Sequence, residues 1–173
     1  MQPRLEVIYV TFLQGALADR EKWSAVGECA IEKTMAVLGT KSAMLIMREA
    51  YYGTTRFDDF AHRVGITKAA TSARLTELVT AGLLEKRPYR EPGQRVRDEY
   101  VLTDAGTDFM PVVWSLFEWG RKHLNDTGLR LTHLGCGAEA TVEITCRDGH
   151  RVPPAETGMR VSRTSSGRRR RST

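Results

Sequence analysis

Three groups of residues in this 173-residue sequence are of types and spacings that could do chemistry. Cys29 is followed by Lys33 one helical turn on, and a nearby cation favours the thiolate that reacts with oxidants and electrophiles. Cysteine is equally a common core residue, so the spacing alone leaves this thiol between reactivity and burial. His133-x2-Cys136 and Cys146-x3-His150, nine residues apart, carry the donors of a four-ligand zinc set. The alternating residues 140–146 followed by Asp148-Gly149 read as well as a simple hairpin, and the expectation is that neither metal nor cofactor is bound. The third group is basic. Lys86, Arg87, Arg90, Arg95 and Arg97 share a twelve-residue window with one acid, Glu91, and such a cluster suits phosphates or the narrow minor groove of DNA. No nucleophile with its base, phosphate-cradling loop or carboxylate cluster accompanies them. A small thiol or zinc enzyme is therefore the weaker reading, and binding the stronger.

The elements that must hold these groups follow from periodicity. Phe57, Phe60, Ala61 and Val64 recur at helical spacing, and Gly65 supplies a stop. Thr67 is a fitting N-cap for a second helix, whose apolar stripe is Leu75, Leu78 and Val79 with Thr71 in line. Two short helices joined by a glycine turn form a helix-turn-helix. Opposite that stripe lie Ala69, Ala73, Thr76 and Thr80, flanked by Lys68 and Ser72. A solvated face ordinarily carries Glu, Lys and Gln in i, i+4 pairs. This one has small methyl and hydroxyl groups, which can approach base edges and thymine methyls in a major groove. After Gly82 the period changes to that of strands over residues 84–89 and 98–102, with Pro92-Gly93 as the turn between them. The basic cluster then occupies a hairpin tip, the wing of a winged helix. Ile31, Met35 and Leu38 form one framing stripe, and Met44, Leu45, Met47 and Ala50 another. Thr103-Asp104 caps a final helical region that Pro111 kinks or restarts, and its apolar residues from Phe109 to Leu124 exceed what one small domain covers. A second copy is the simplest cover.

Charge separates the chain further. Its 26 Lys and Arg against 21 Asp and Glu give +5, yet six arginines (160, 163 and 168–171) follow the last acid, Glu156. The remainder is nearly neutral. Residues 159–173 have too little apolar content to order themselves and form a basic tail. Three widely spaced cysteines in a chain large enough to need no staples do not read as a disulfide framework, which points to the cytoplasm. The apolar run 5–13 loosely imitates an export signal, but Glu6 stands at its mouth; the reading is an amphipathic arm over 1–28 and no membrane partner.

Cys29-Ala-Ile, Gly39-Thr-Lys, Arg56-Phe-Asp-Asp-Phe60, Gly65-Ile-Thr67, Arg74-Leu75, Glu77-Leu78, Ala81-Gly-Leu83, Tyr100-Val-Leu-Thr103, Gly106, Pro111 and Trp119-Gly120 resemble the HxlR-type transcriptional regulators, relatives of the MarR group. The ordered matches run from Cys29 to about Leu124. Ser42 and Thr71 stand where the family often has tryptophan and leucine. The resemblance implies a mainly α fold with a small β-hairpin wing, dimeric through its N- and C-terminal helices, that represses or activates transcription at a pseudo-palindromic operator. It also places Cys29 where some members sense quinones or hypochlorite, so that an oxidant or small molecule is a possible effector. The expected DNA contacts are Arg56, Thr67, Lys68, Ala69, Ser72, Ala73, Arg74, Thr76, Arg90, Gln94, Arg95 and Arg97. The expected organisation is an arm (1–28), the winged-helix domain (29–127), a hairpin extension (128–158) with an eroded zinc-ribbon look, and the tail (159–173). A winged helix that binds proteins instead of DNA is the remaining alternative; acids in place of the wing arginines would have favoured it.

Overall fold

The computed structural model describes residues 11–22, 24, 27 and 29–161. Half of the expected arm, and residues 162–173 of the expected tail, lie outside them. Two compact units are distinguished, residues 27–142 and residues 1–26 with 143–173.

Within the first unit the order is α1 (Ala30–Leu38), α2 (Lys41–Tyr51), α3 (Phe57–Val64), α4 (Lys68–Thr80), β2 (Leu84–Tyr89), β3 (Arg97–Leu102), α5 (Asp104–Asp108) and α6 (Met110–His123), with β1 (Phe12–Leu13) in the other unit. Strands β2 and β3 pair antiparallel from Leu84↔Leu102 to Tyr89↔Arg97. The core collects Leu38 of α1, Ile46 and Met47 of α2, Phe60 of α3, Leu75 and Leu78 of α4, and Leu84 and Tyr100 of the hairpin. Each is drawn from the apolar stripe of its element, and removing such side chains from water is the principal stabilising term. Thr71, where the family often has leucine, is fully buried; its hydroxyl donates to the Thr67 carbonyl (3.0 Å), so no polar atom is left unsatisfied.

Pro111 lies in the first turn of α6, where its missing N–H costs nothing, and it restarts the chain after α5. At the α5 start the Thr103 hydroxyl donates to the Gly82 carbonyl (2.5 Å) and accepts from the Gly106 amide (3.0 Å). Gly106 is required there because a Cβ would overlap the Leu83 carbonyl. Its own carbonyl accepts from the Tyr51 hydroxyl (2.6 Å), and burial raises that phenol to a pKa of about 12.

The framing stripes differ from expectation in two places. Ile31 and Met35 of α1 are exposed, and only Leu38 of that stripe enters the core. In α2 the fully buried isoleucine is Ile46, outside the expected set, because the helix packs against α3 and α4 through Ala43, Ile46, Met47 and Ala50. On α6, Val112, Leu116 and Trp119 remain exposed in the single chain.

The second unit holds β1 (Phe12–Leu13) parallel to β4 (Gly158–Met159), so ordered pairing reaches Met159, the expected first residue of the tail. The hairpin expected around Asp148-Gly149 is present as a tight turn closed by the bridge Thr145↔Arg151. Residues 140–144 form no continuous strand. Among the described residues no helix is long and apolar enough to cross a membrane.

Candidate nucleic-acid interface

Gly65 adopts φ +70°, the left-handed conformation that stops α3 and that a side chain would strain. Thr67 then caps α4, its hydroxyl accepting from the Ala70 amide (3.2 Å). Burial of Thr71, Leu75 and Leu78 fixes the rotation of α4. Lys68, Ala69, Ser72, Ala73 and Thr76 are consequently exposed along its outer face, as the 100° spacing predicts. Arg74 lies at the edge of that face and is paired with Glu77 one turn on.

The wing is shaped by its turn. Pro92 and Gly93, the latter at φ +75°, occupy the two central positions, and the Gln94 amide donates to the Glu91 carbonyl (3.0 Å). Proline followed by glycine in these positions is the preference of a type II turn. Arg90 folds back so that its Nε donates to the Gln94 carbonyl (3.2 Å). Gln94, Arg95 and Arg97 are exposed, and Arg95 makes no ion pair among the described residues.

The ladder alters the meaning of the basic cluster. Counting residues 86–97 omits Glu85, two residues from Arg87 on the same strand, and Asp98 and Glu99, which the antiparallel register brings across to the bases of β2. Lys86 lies 3.8 Å from Asp98, and Arg87 3.4 Å from Glu85. Lys86 and Arg87, lower in the ladder, are thus paired with acids, whereas Arg90, Arg95 and Arg97 stand at the tip with the single acid Glu91.

Arg56 reaches the outer end of the ladder. Its guanidinium carbon sits 3.0 Å from the centroid of the Tyr89 ring, and its nitrogens lie 3.9 Å from Glu91 and 3.8 Å from Glu99. Asp58, in the first turn of α3, joins the two halves of the surface. Its carboxylate pairs with Lys68 of α4 at 2.7 Å, and that hydrogen bond, the Lys68 charge and more weakly the charge of Arg97 hold it below the usual carboxylate range. The start of α4 is thus tied to the start of α3 through Lys68, and the charge of Arg97 adds weakly to the field at Asp58. Sequence reasoning missed Asp58, Tyr89 and Glu99. Tyr89, an aromatic ending the first strand beside a basic tip, was the available signal.

Cys29 is the N-cap residue of α1, partly exposed, with its carbonyl accepting from the Lys33 amide (3.0 Å). In the first unit His133 Nδ1 and Cys136 Sγ approach to 3.1 Å across a tight turn. In the second, Cys146 and His150 flank the Gly149 turn, with the Cys146 amide donating to the His150 carbonyl (2.9 Å). Among the described residues no three His, Cys, Asp or Glu side chains are grouped to hold a metal ion.

Comparison with known proteins places this arrangement. The family model of the HxlR-like helix-turn-helix matches residues 37–128. An uncharacterized HTH-type transcriptional regulator of Mycobacterium tuberculosis, Rv3095, is 33% identical over 119 residues, 67% of this chain and 74% of that protein. The crystal structure of PA1607, a candidate transcription factor, superposes with a TM-score of 0.68 at 29% identity, covering 80% of this chain and 97% of the other. The oxidized form of the redox regulator HypR superposes with a TM-score of 0.51 at 28% identity, over 56% of this chain and 99% of that one. On the winged helix-turn-helix, the matched residues and the shared sequence together, this chain belongs to the HxlR-like helix-turn-helix family of transcriptional regulators.

Proposed function

We propose that the protein regulates transcription by binding operator DNA as a homodimer, with α4 in the major groove and the wing against the flanking backbone or minor groove. The observation that carries this reading is the pairing of a bulk-free outer face on α4 with a hairpin whose tip exposes Arg95 and Arg97. Thr67, Lys68, Ala69, Ser72, Ala73, Arg74 and Thr76 would face the groove, and Arg90, Gln94, Arg95 and Arg97 the backbone beside it. Lys68 and Arg74 would exchange their present carboxylate partners for phosphates. The exposed Ile31 and Met35 of α1 and Leu116 and Trp119 of α6 supply the apolar surface for a second subunit. In this reading the chain acts in the cytoplasm by binding alone, without catalysis.

Base contacts specify and phosphate contacts position. Ser72→Ala and Thr76→Ala are thus expected to change the preferred base at one position in each half-site, by about 1–3 kcal/mol of discrimination, with little effect on nonspecific affinity. Selection of bound sequences from a random pool checks this; unchanged preferences in both variants would remove α4 from the groove.

The effector proposed is an oxidant or electrophile acting at Cys29. Its partly exposed position at the start of α1 supports access, and HypR, a redox regulator, shares the fold. Quinone or hypochlorite is expected to change DNA binding of the wild type in a gel-shift assay and to leave Cys29→Ser unaffected. An equal response in both removes the thiol from the switch.

A further inference from the structure

We propose that Arg56 is the residue that positions the wing, acting through Tyr89 instead of touching DNA. The inference rests on the DNA-binding reading above.

Arg56 is the N-cap residue of α3, so its backbone opens the helix-turn-helix. Its side chain makes no capping hydrogen bond. It crosses to the hairpin and lies over the Tyr89 ring, with Glu91 and Glu99 on its nitrogens' side at 3.9 and 3.8 Å. Nη1 is buried and has no hydrogen-bond partner, although Glu99 is close. A buried donor left this way costs free energy, which the ring face and two carboxylates offset by electrostatic attraction. A phosphate contact here would have to replace two carboxylates and a ring, where Lys68 and Arg74 each have a single carboxylate to exchange. Arg56 is thus badly placed as a contact and well placed as a clamp.

The clamp bears on the part of the wing that matters. Tyr89 is the last residue of β2 and pairs with Arg97 at the final rung of the ladder. The same Tyr89 ring, with Glu91, Gln94, Arg95 and Arg97, lines a polar cleft of about 200 Å³. The backbone next to Arg56 is already joined to β3, the Tyr100 amide donating to the Thr55 carbonyl (2.8 Å). Beyond the final rung nothing in the ladder restrains residues 90–96. Fixing Tyr89 on Arg56 holds the tip at one angle to α4, so that less ordering entropy is lost when Arg95 and Arg97 meet phosphates. The planar guanidinium is needed for this, because an ammonium cannot stack on a ring.

The test uses the full chain as wild type, Arg56→Gln, Arg56→Lys, Tyr89→Leu, Tyr89→Phe and the Arg56→Gln/Tyr89→Leu double variant. Affinity for a mixed-sequence DNA duplex and hydrogen exchange of residues 90–97 without DNA are both measured. Arg56→Gln and Tyr89→Leu are each expected to weaken binding by on the order of tenfold and to speed exchange in the wing, although Tyr89→Leu removes no charge. The double variant should bind no worse than the weaker single variant. Arg56→Lys should fail to restore binding, and Tyr89→Phe should match the wild type. Full rescue by lysine with an unaffected Tyr89→Leu would identify a phosphate contact and overturn the clamp. Unchanged wing exchange in both single variants overturns it whatever the DNA result. Absence of DNA binding by the wild type would instead reject the functional reading, while the exchange measurement still decides the clamp.

Discussion

Replacing Arg95 and Arg97 together by alanine is expected to weaken binding to all DNA sequences alike and to flatten its salt dependence. Both side chains are exposed at the tip of the hairpin, and Arg95 has no carboxylate partner among the described residues. Each phosphate contact releases condensed counterions, so losing two should reduce the slope of log K against log salt by about 1.8 and lower affinity by one to two orders of magnitude near physiological salt. Lys86 and Arg87, nominally part of the same basic cluster, already face Asp98 and Glu85. Their replacement should have a much smaller effect. Fluorescence anisotropy titrations at several salt concentrations separate these outcomes. A double variant that binds as the wild type does would detach the wing from the DNA.

The second large effect concerns stability. Phe60 is fully buried, and its ring meets the Tyr100 ring edge-on at 6.4 Å, joining α3 to β3. Phe60→Ala should cost about 3–5 kcal/mol through lost burial and the cavity left behind. Since a domain of this kind has only about 5–15 kcal/mol in total, most of its margin would go. Phe60→Leu, nearer in volume, should cost less, on the order of 1–2 kcal/mol. Urea denaturation followed by tryptophan fluorescence measures both. Equal stability of Phe60→Ala and wild type would mean that α3 and the hairpin do not share this core.

How far sequence reaches is seen in these same residues. Phe60, Leu75 and Leu78 were legible because helical spacing fixes which side chains share a face, and Gly65 and Thr67 mark the ends between which that spacing applies. The exposed face of α4 was legible as its complement. Periodicity does not say what covers an apolar face, which is why Ile31 and Met35 read as framing residues although both are exposed in the single chain. It also left Ile46 out of the α2 stripe. The charge of the wing was legible only in part. A window along the chain cannot include acids that strand register brings across, so Asp98 and Glu99 were missed as partners, while Glu85 stood one residue outside it on the same strand as Arg87. Arg56 shows the limit most sharply. Sequence made it an expected DNA contact, but Tyr89 and Glu99 are 33 and 43 positions further on, and no local pattern connects them. Lys68 likewise meets Asp58 only once α3 and α4 are folded together.

The central claim is that this fold reads specific DNA as a pair of subunits. The most direct measurement is sequencing of genomic fragments captured by the purified full chain. Enriched fragments should share two inverted half-sites with centres one helical turn, about 10 base pairs, or a multiple of it apart, as two-fold symmetry requires. Recovery of fragments in proportion to their abundance, with no common motif, would contradict it.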